Sequence, residues 1–192
     1  MASYKERVVS AIRNTEDLGL ELNATPLPFS PSISENEMLN IQKLCVDALR
    51  HFGFTSSSTL AGNCVEVHLM LHQMLMEELD VVSYITVGDR CFENYVYCEM
   101  SIPGIIRELE GPSIHEPIKA HVWLTLADGT IVDCTSEAHL DIKAERGDFP
   151  VHRCLQFIPL NNEEDASVGY HRPFLLGPDF LFKTGMVRPE FR

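Results

Sequence analysis

The spacing of apolar residues changes once along the chain, near Asp80, and that change constrains the fold more than any other feature. Before it the spacing is helical. Ser34-Glu-Asn-Glu37 has the Ser-then-Glu form of a capping box, in which each side chain satisfies an orphan amide of the first turn. Behind it Leu39, Ile41, Leu44, Cys45, Ala48 and Leu49 recur at helical intervals, predicting a helix to about His51 that stops at Gly53. Residues 4–14 predict an earlier helix. Val65 to Leu79 is the strongest helical pattern, with Glu66, Gln73, Glu77 and Asp80 on one arc and Cys64, His68, Leu71, His72, Leu75 and Leu79 on the other. From Val81 the chain turns β-branched and aromatic. Val81–Val87, Phe92–Cys98, Ala120–Leu126, Thr130–Thr135 and Cys154–Leu160 all predict strands. Helices followed by strands predict an α+β fold with helices packed on a mainly antiparallel sheet.

With 192 residues, 45% of them hydrophobic, the chain is long enough to bury a core without a metal or disulfide staple. It is read as a single domain, 1–192. An N-terminal helix and a Pro/Ser-rich linker at Asn23–Ser32 occupy 1–33, and a core occupies 34–192. An excess of 28 Asp+Glu over 15 Lys+Arg gives −13, which repels phosphates and anionic lipid, so neither nucleic acid nor membrane is expected as a partner. The apolar stretch Val8–Ile12 is too brief for a signal-peptide core, and none approaches the roughly 20 residues of a transmembrane helix. The expected location is therefore cytoplasmic, with export by a specialised secretion route compatible. The six cysteines show no CxxC spacing, and reduced thiols are expected.

Asp128-Gly129 joins two predicted strands as a hairpin, and its register decides which side chains share a face. A two-residue turn would pair Ala127 with Thr130 and send His121 and Asp133 to opposite faces. A three-residue loop, Ala127-Asp128-Gly129, with Gly129 left-handed, would pair Leu126 with Thr130 instead. Trp123 would then face Asp133, with His121 diagonal to it on the same side, about 7–8 Å away at the backbone.

Cys64 stands where its helix begins, and the unpaired amides there favour thiolate. An imidazole lowers a thiol's pKa further and then protonates a leaving group. A carboxylate on the other ring nitrogen fixes that imidazole's tautomer. Cys64, His121 and Asp133 are thus a candidate nucleophile, base and orienter. The helix-start amides, that of Cys64 included, are natural oxyanion donors.

Gly62-Asn-Cys-Val-Glu66 with its long helix, Val81-Val-Ser-Tyr-Ile-Thr-Val-Gly88, His121-Val-Trp-Leu124 and Val132-Asp-Cys-Thr135 together resemble the transglutaminase-like branch of the papain-like cysteine-enzyme superfamily, over residues 60–136. The resemblance implies a papain-like fold with Cys64 as nucleophile, His121 as base and Asp133 as orienter. The family's oxyanion side chain precedes the cysteine; Gln42 and Asn63 are its candidates here, and Trp123, the only tryptophan, is expected as a hydrophobic anchor or as a wall of the site. The stretch 101–119, with Pro103, Pro112 and Pro117, is an insertion relative to the family pattern. No acidic cluster resembles a calcium loop, and no cofactor is called for.

The activity expected is acyl transfer through a thioester at Cys64, on a protein or peptide substrate carrying an amide. With water as acceptor the enzyme is a peptidase or a protein-glutamine deamidase, the favoured form. An amine acceptor makes it a transglutaminase, and a small thioester donor makes it an N-acyltransferase like the arylamine acetyltransferases. A reading of another class is an inert binding module of the same fold. Cys64, His68 and His72 at i, i+4 and i+8 also have metal-ligand chemistry, but the outer pair is about 12 Å apart along the axis. The two histidines are better read as core residues with hydrogen-bond partners elsewhere. The acidic tract Asn161–Asp165 reads as a solvated loop, and His171-Arg-Pro173 as a weak site candidate.

Overall fold

Ser3 and Ser34 each close a capping box, with Glu6 and Glu37, and so open the first two helices of the computed structural model. It describes residues 2–22, 27, 29, 32–111, 118–160 and 169–187. Along these the elements are α1 (Tyr4–Asp17), α2 (Glu35–His51), the single turn α3 (Ser57–Leu60), α4 (Cys64–Leu79), β1 (Ser83–Phe92), β2 (Tyr95–Tyr97), α5 (Ile102–Glu110), β3 (His121–Leu126), β4 (Ile131–Asp133), α6 (Ser136–Lys143), a 3-10 turn at Val151–Arg153, β5 (Gln156–Ile158), β6 (Tyr170–Leu176) and α7 (Asp179–Lys183). The class is α+β, and the strand ladders within each unit are antiparallel. Most of the expected linker, the acidic tract and Pro112 to Pro117 lie outside the described residues. No described helix is long and apolar enough to cross a membrane.

The chain divides into two compact units that each draw on distant segments. The first comprises Met1–Pro26, Ile85–Val122 and Asn161–Arg192. In it β1 pairs with β2 through a tight hairpin, Phe92 opposite Tyr95, and with β6 from Thr86↔Leu176 to Cys91↔Tyr170, with a bulge at Val87/Gly88. Gly169 leads into β6 at φ +124°, where a Cβ would collide with the Cys91 carbonyl oxygen. α1 packs on β6: Thr15 Oγ1 accepts the Leu176 amide at 2.9 Å, and Asn14 Nδ2 donates to the Phe174 carbonyl at 3.1 Å. Asp89, fully buried, accepts two hydrogen bonds from Arg172, at 2.9 and 2.6 Å, and one from the Met100 amide at 3.0 Å. These bonds tie β6 and the start of the 101–119 segment to β1.

That segment begins as a helix. Ser101 Oγ accepts the Gly104 amide at 3.2 Å, and Pro103 sits in the first turn of α5, where a missing N–H costs nothing.

The second unit comprises Leu27–Tyr84 and Trp123–Leu160. α2 and α4 pack together, with Ile41, Cys45, Leu49, Val67, Leu71 and Leu75 fully buried. β4 lies between β3 and β5. Leu124 faces Val132 and Thr125 faces Ile131, while the Leu126 amide donates to the Thr130 carbonyl at 2.8 Å. The hairpin therefore uses the three-residue loop, with Gly129 at φ +89°. Asp128 holds its tip by accepting the Thr130 amide at 2.9 Å and the Ile33 amide at 3.1 Å. α3 and α6 pack together, where Ser57 Oγ donates to Asp141 at 2.7 Å.

Candidate functional site

Cys64 is the first residue of α4 and is 5% exposed. Gly62, at φ +83°, turns the chain into the helix. Asn63 occupies the cap position without capping: its Nδ2 donates backward to the Thr59 carbonyl at 2.8 Å. The first-turn amides of α4 thus receive no side-chain cap from Asn63 and keep the partial positive charge of a helix start beside the thiol. Gln42, the other oxyanion candidate, is half-buried midway along α2.

One imidazole joins this helix start to the end of β4. His68, one turn after Cys64 and fully buried, has Nδ1 2.8 Å from the Cys64 carbonyl oxygen. Its Nε2 accepts the Cys134 amide at 3.0 Å and lies 4.0 Å from Asp133 Oδ1. Asp133 Oδ1 in turn accepts the amides of Thr135 and Ser136 at 3.0 and 3.1 Å, which anchors the carboxylate over the start of α6. The second unit therefore brings Cys64 and Asp133 to either end of the His68 ring. Trp123, fully buried on β3, is one ladder step beyond Leu124↔Val132 and so lies opposite Asp133.

His121 opens β3, and strand alternation puts it on the same face as Trp123. Its contacts within the first unit include two rings. The Tyr97 ring is 5.0 Å away and tilted by 45°, and the His171 ring is 6.3 Å away at 28°. All three side chains are buried. Ligating nitrogens of His121 and His171 come within 4.8 Å of each other, so this imidazole pair has the chemistry to hold a transition-metal ion. His171 sits on β6, a strand that sequence reasoning missed. The signal was present in Tyr170–Leu176, but Pro173 interrupts it, and proline argues against a strand interior. Here Pro173 stands opposite Gly88, beside the bulge.

His68 is fully buried, as expected of a core histidine, whereas His72 is only half-buried. His72 Nδ1 pairs with Ser83 Oγ at 2.9 Å, and burial pushes its pKa down. With Nε2 of His68 taken by a backbone amide, Cys64, His68 and His72 do not converge as a metal triad.

Four of the other cysteines are held above the ordinary thiol range. Burial pushes the Cys98 thiol up to about 11 and raises Cys91 and Cys154. Cys134 is raised through its hydrogen bond with Cys45 and by its burial. All six are free thiols.

Compared with protein-family models, curated proteins and solved structures, the chain matches none.

Proposed function

We propose that this chain is a thiol acyl-transfer enzyme with a papain-like, transglutaminase-like arrangement, in which Cys64 is the nucleophile, His121 the general base and Asp133 the orienter. The observation that carries the reading is the β3–β4 register. Leu126 pairs with Thr130, so Trp123 stands opposite Asp133 and His121 follows two residues along the same strand face. The helix-start setting of Cys64 and the backbone-anchored Asp133 carboxylate support it.

In this reading His121 takes the Cys64 proton as the sulfur attacks an amide carbonyl carbon. First-turn amides of α4 receive the developing oxyanion. His121 then gives the proton to the departing nitrogen, releasing amine or ammonia and leaving a thioester. Water deprotonated by His121 attacks that thioester, the C–S bond breaks, and the carboxylic acid leaves as the thiol is restored. The substrate class is a protein or peptide amide, and hydrolysis is the favoured outcome. Six free thiols fit a reducing compartment such as the cytoplasm.

A second reading, an inert binding module, is favoured by the 5% exposure of Cys64. Brief treatment with limiting iodoacetamide at mildly acidic pH, read by intact mass and peptide mapping, separates the two. For the enzyme, one adduct forms fast and maps to Cys64, is absent in Cys64→Ala, and slows about a hundredfold in His121→Ala. Labelling of Cys64 no faster than that of the other cysteines overturns the enzyme reading in favour of the module.

A further inference from the structure

We propose that His68 is a positioning residue of this site, a neutral imidazole fixed in one tautomer that holds the Cys64 turn and the Asp133–Cys134 peptide in register. The proposal rests on the thiol-enzyme reading above. Its ground is the pair of bonds on the ring. A backbone amide only donates, so the Cys134 amide at 3.0 Å requires a lone pair on Nε2. The proton of the neutral ring is then on Nδ1, where it meets the Cys64 carbonyl oxygen, which only accepts, at 2.8 Å.

Both nitrogens are therefore committed, in a side chain with no exposed surface. Protonating Nε2 would place two donors head to head with the Cys134 amide and break that bond. This denies His68 the role of general base, although it lies 4.0 Å from the Asp133 carboxylate and one helical turn from Cys64. The ring instead works as a strut. At one end it fixes the Cys64 carbonyl in the first turn of α4. At the other it fixes the peptide following Asp133, and with it the direction from which the carboxylate leaves β4. A buried ring with both partners satisfied is rigid, and losing either partner leaves an unpaired polar group inside.

Three variants separate the two ends. His68→Asn keeps a donor near the Nδ1 position, His68→Gln keeps an acceptor near the Nε2 position, and His68→Ala keeps neither. Each is read by Cys64 alkylation rate, by the far-ultraviolet absorbance of the thiolate and by thermal midpoint, with His121→Ala alongside. The expected result is alkylation about tenfold slower in His68→Ala, with reduced thiolate absorbance, and partial rescue of both in Asn and Gln. A purely structural ring would lower the thermal midpoint and leave thiolate absorbance unchanged. Should the alanine variant fail to fold, the Asn and Gln variants carry the comparison. Nitrogen-15 spectra of the wild-type imidazole should report the Nδ1–H tautomer; an Nε2–H tautomer overturns the proposal. A wild-type Cys64 that labels fast and depends on His121, while the folded His68 variants match it, overturns this proposal and leaves the enzyme reading standing. A wild-type Cys64 that labels no faster than the other thiols overturns both.

Discussion

Leu126 donates its amide to the Thr130 carbonyl at 2.8 Å, and the parity of that pair decides which face of β3 the Asp133 side chain shares. The pairing depends on Gly129, at φ +89°, where an added Cβ would lie 2.8 Å from the Phe29 ring and 3.0 Å from a Leu160 methyl. Gly129→Val should therefore cost about 2 kcal/mol of stability or more. It should also slow Cys64 alkylation, since relief by a two-residue turn would send Asp133 to the opposite face. Denaturant unfolding and the labelling rate check this; a valine variant with wild-type values for both would contradict it.

The thiols should separate by pH. Cys98, held up to about 11, and the raised Cys91, Cys134 and Cys154 stay protonated and poorly nucleophilic at neutral pH. Time-resolved peptide mapping with an alkylating agent should find Cys98 modified only as the pH nears its own high value. Early labelling at Cys98 would count against the burial that raises it.

The Asp89–Arg172 pair should be worth more broken than formed. Asp89 is fully buried, whereas the Arg172 side chain keeps 36% of its surface in solvent. Arg172→Ala strands a buried carboxylate and should cost about 3 kcal/mol, discounted from the cost of a fully buried pair because water still reaches the cation. Arg172→Lys should recover only part, having a single ammonium where two guanidinium nitrogens donate. Chemical denaturation of the three proteins gives the ranking; equal stability of the alanine variant and wild type would refute it.

His72 predicts an acid-side weakness. Burial holds its folded pKa below the ordinary 6.5, so above 6.5 both folded and unfolded chains carry it neutral and it is silent. As pH falls through 6.5 the unfolded chain takes up the proton first. Stability is then lost until the folded pKa is reached. His72→Gln should remove this contribution, giving a shallower fall of thermal midpoint from neutral to mildly acidic pH than wild type. Parallel curves would mean the ring is not desolvated.

Local chemistry made α2, α4 and the β3–β4 hairpin readable. Ser34 and Glu37 announce the start of α2, an unbroken helical stripe follows Cys64, and Asp128-Gly129 marks its turn. Sequence left the hairpin with two registers, and the three-residue loop was settled by the bonds at Leu126 and Asp128. Prolines concealed α5 and β6: Pro103 opens the one, and Pro173 stands beside a bulge in the other, two places where proline is tolerated. The stretch Phe92–Cys98 read as one strand because its turn at Glu93-Asn94 is only two residues long. Cys64, His121 and Asp133 stand out by residue type and local setting. The role of His68 does not, because its Cys134 partner is 66 residues distant and supplies a backbone amide, which no side-chain pattern reveals.

The first unit is stitched from three separated stretches, with α1 clasped to β6 through Asn14 and Phe174, 160 positions apart in sequence. During synthesis α1 is made well before β6, and the contact between them cannot form until Gly169–Leu176 emerges. Its buried face, Tyr4, Val8 and Ala11, cannot meet β6 until the intervening chain has been made. Closure of this unit is therefore a non-local event with a large loop entropy to overcome. Any nascent chain halted before β6 presents an unclasped amphipathic helix to the cell's quality control.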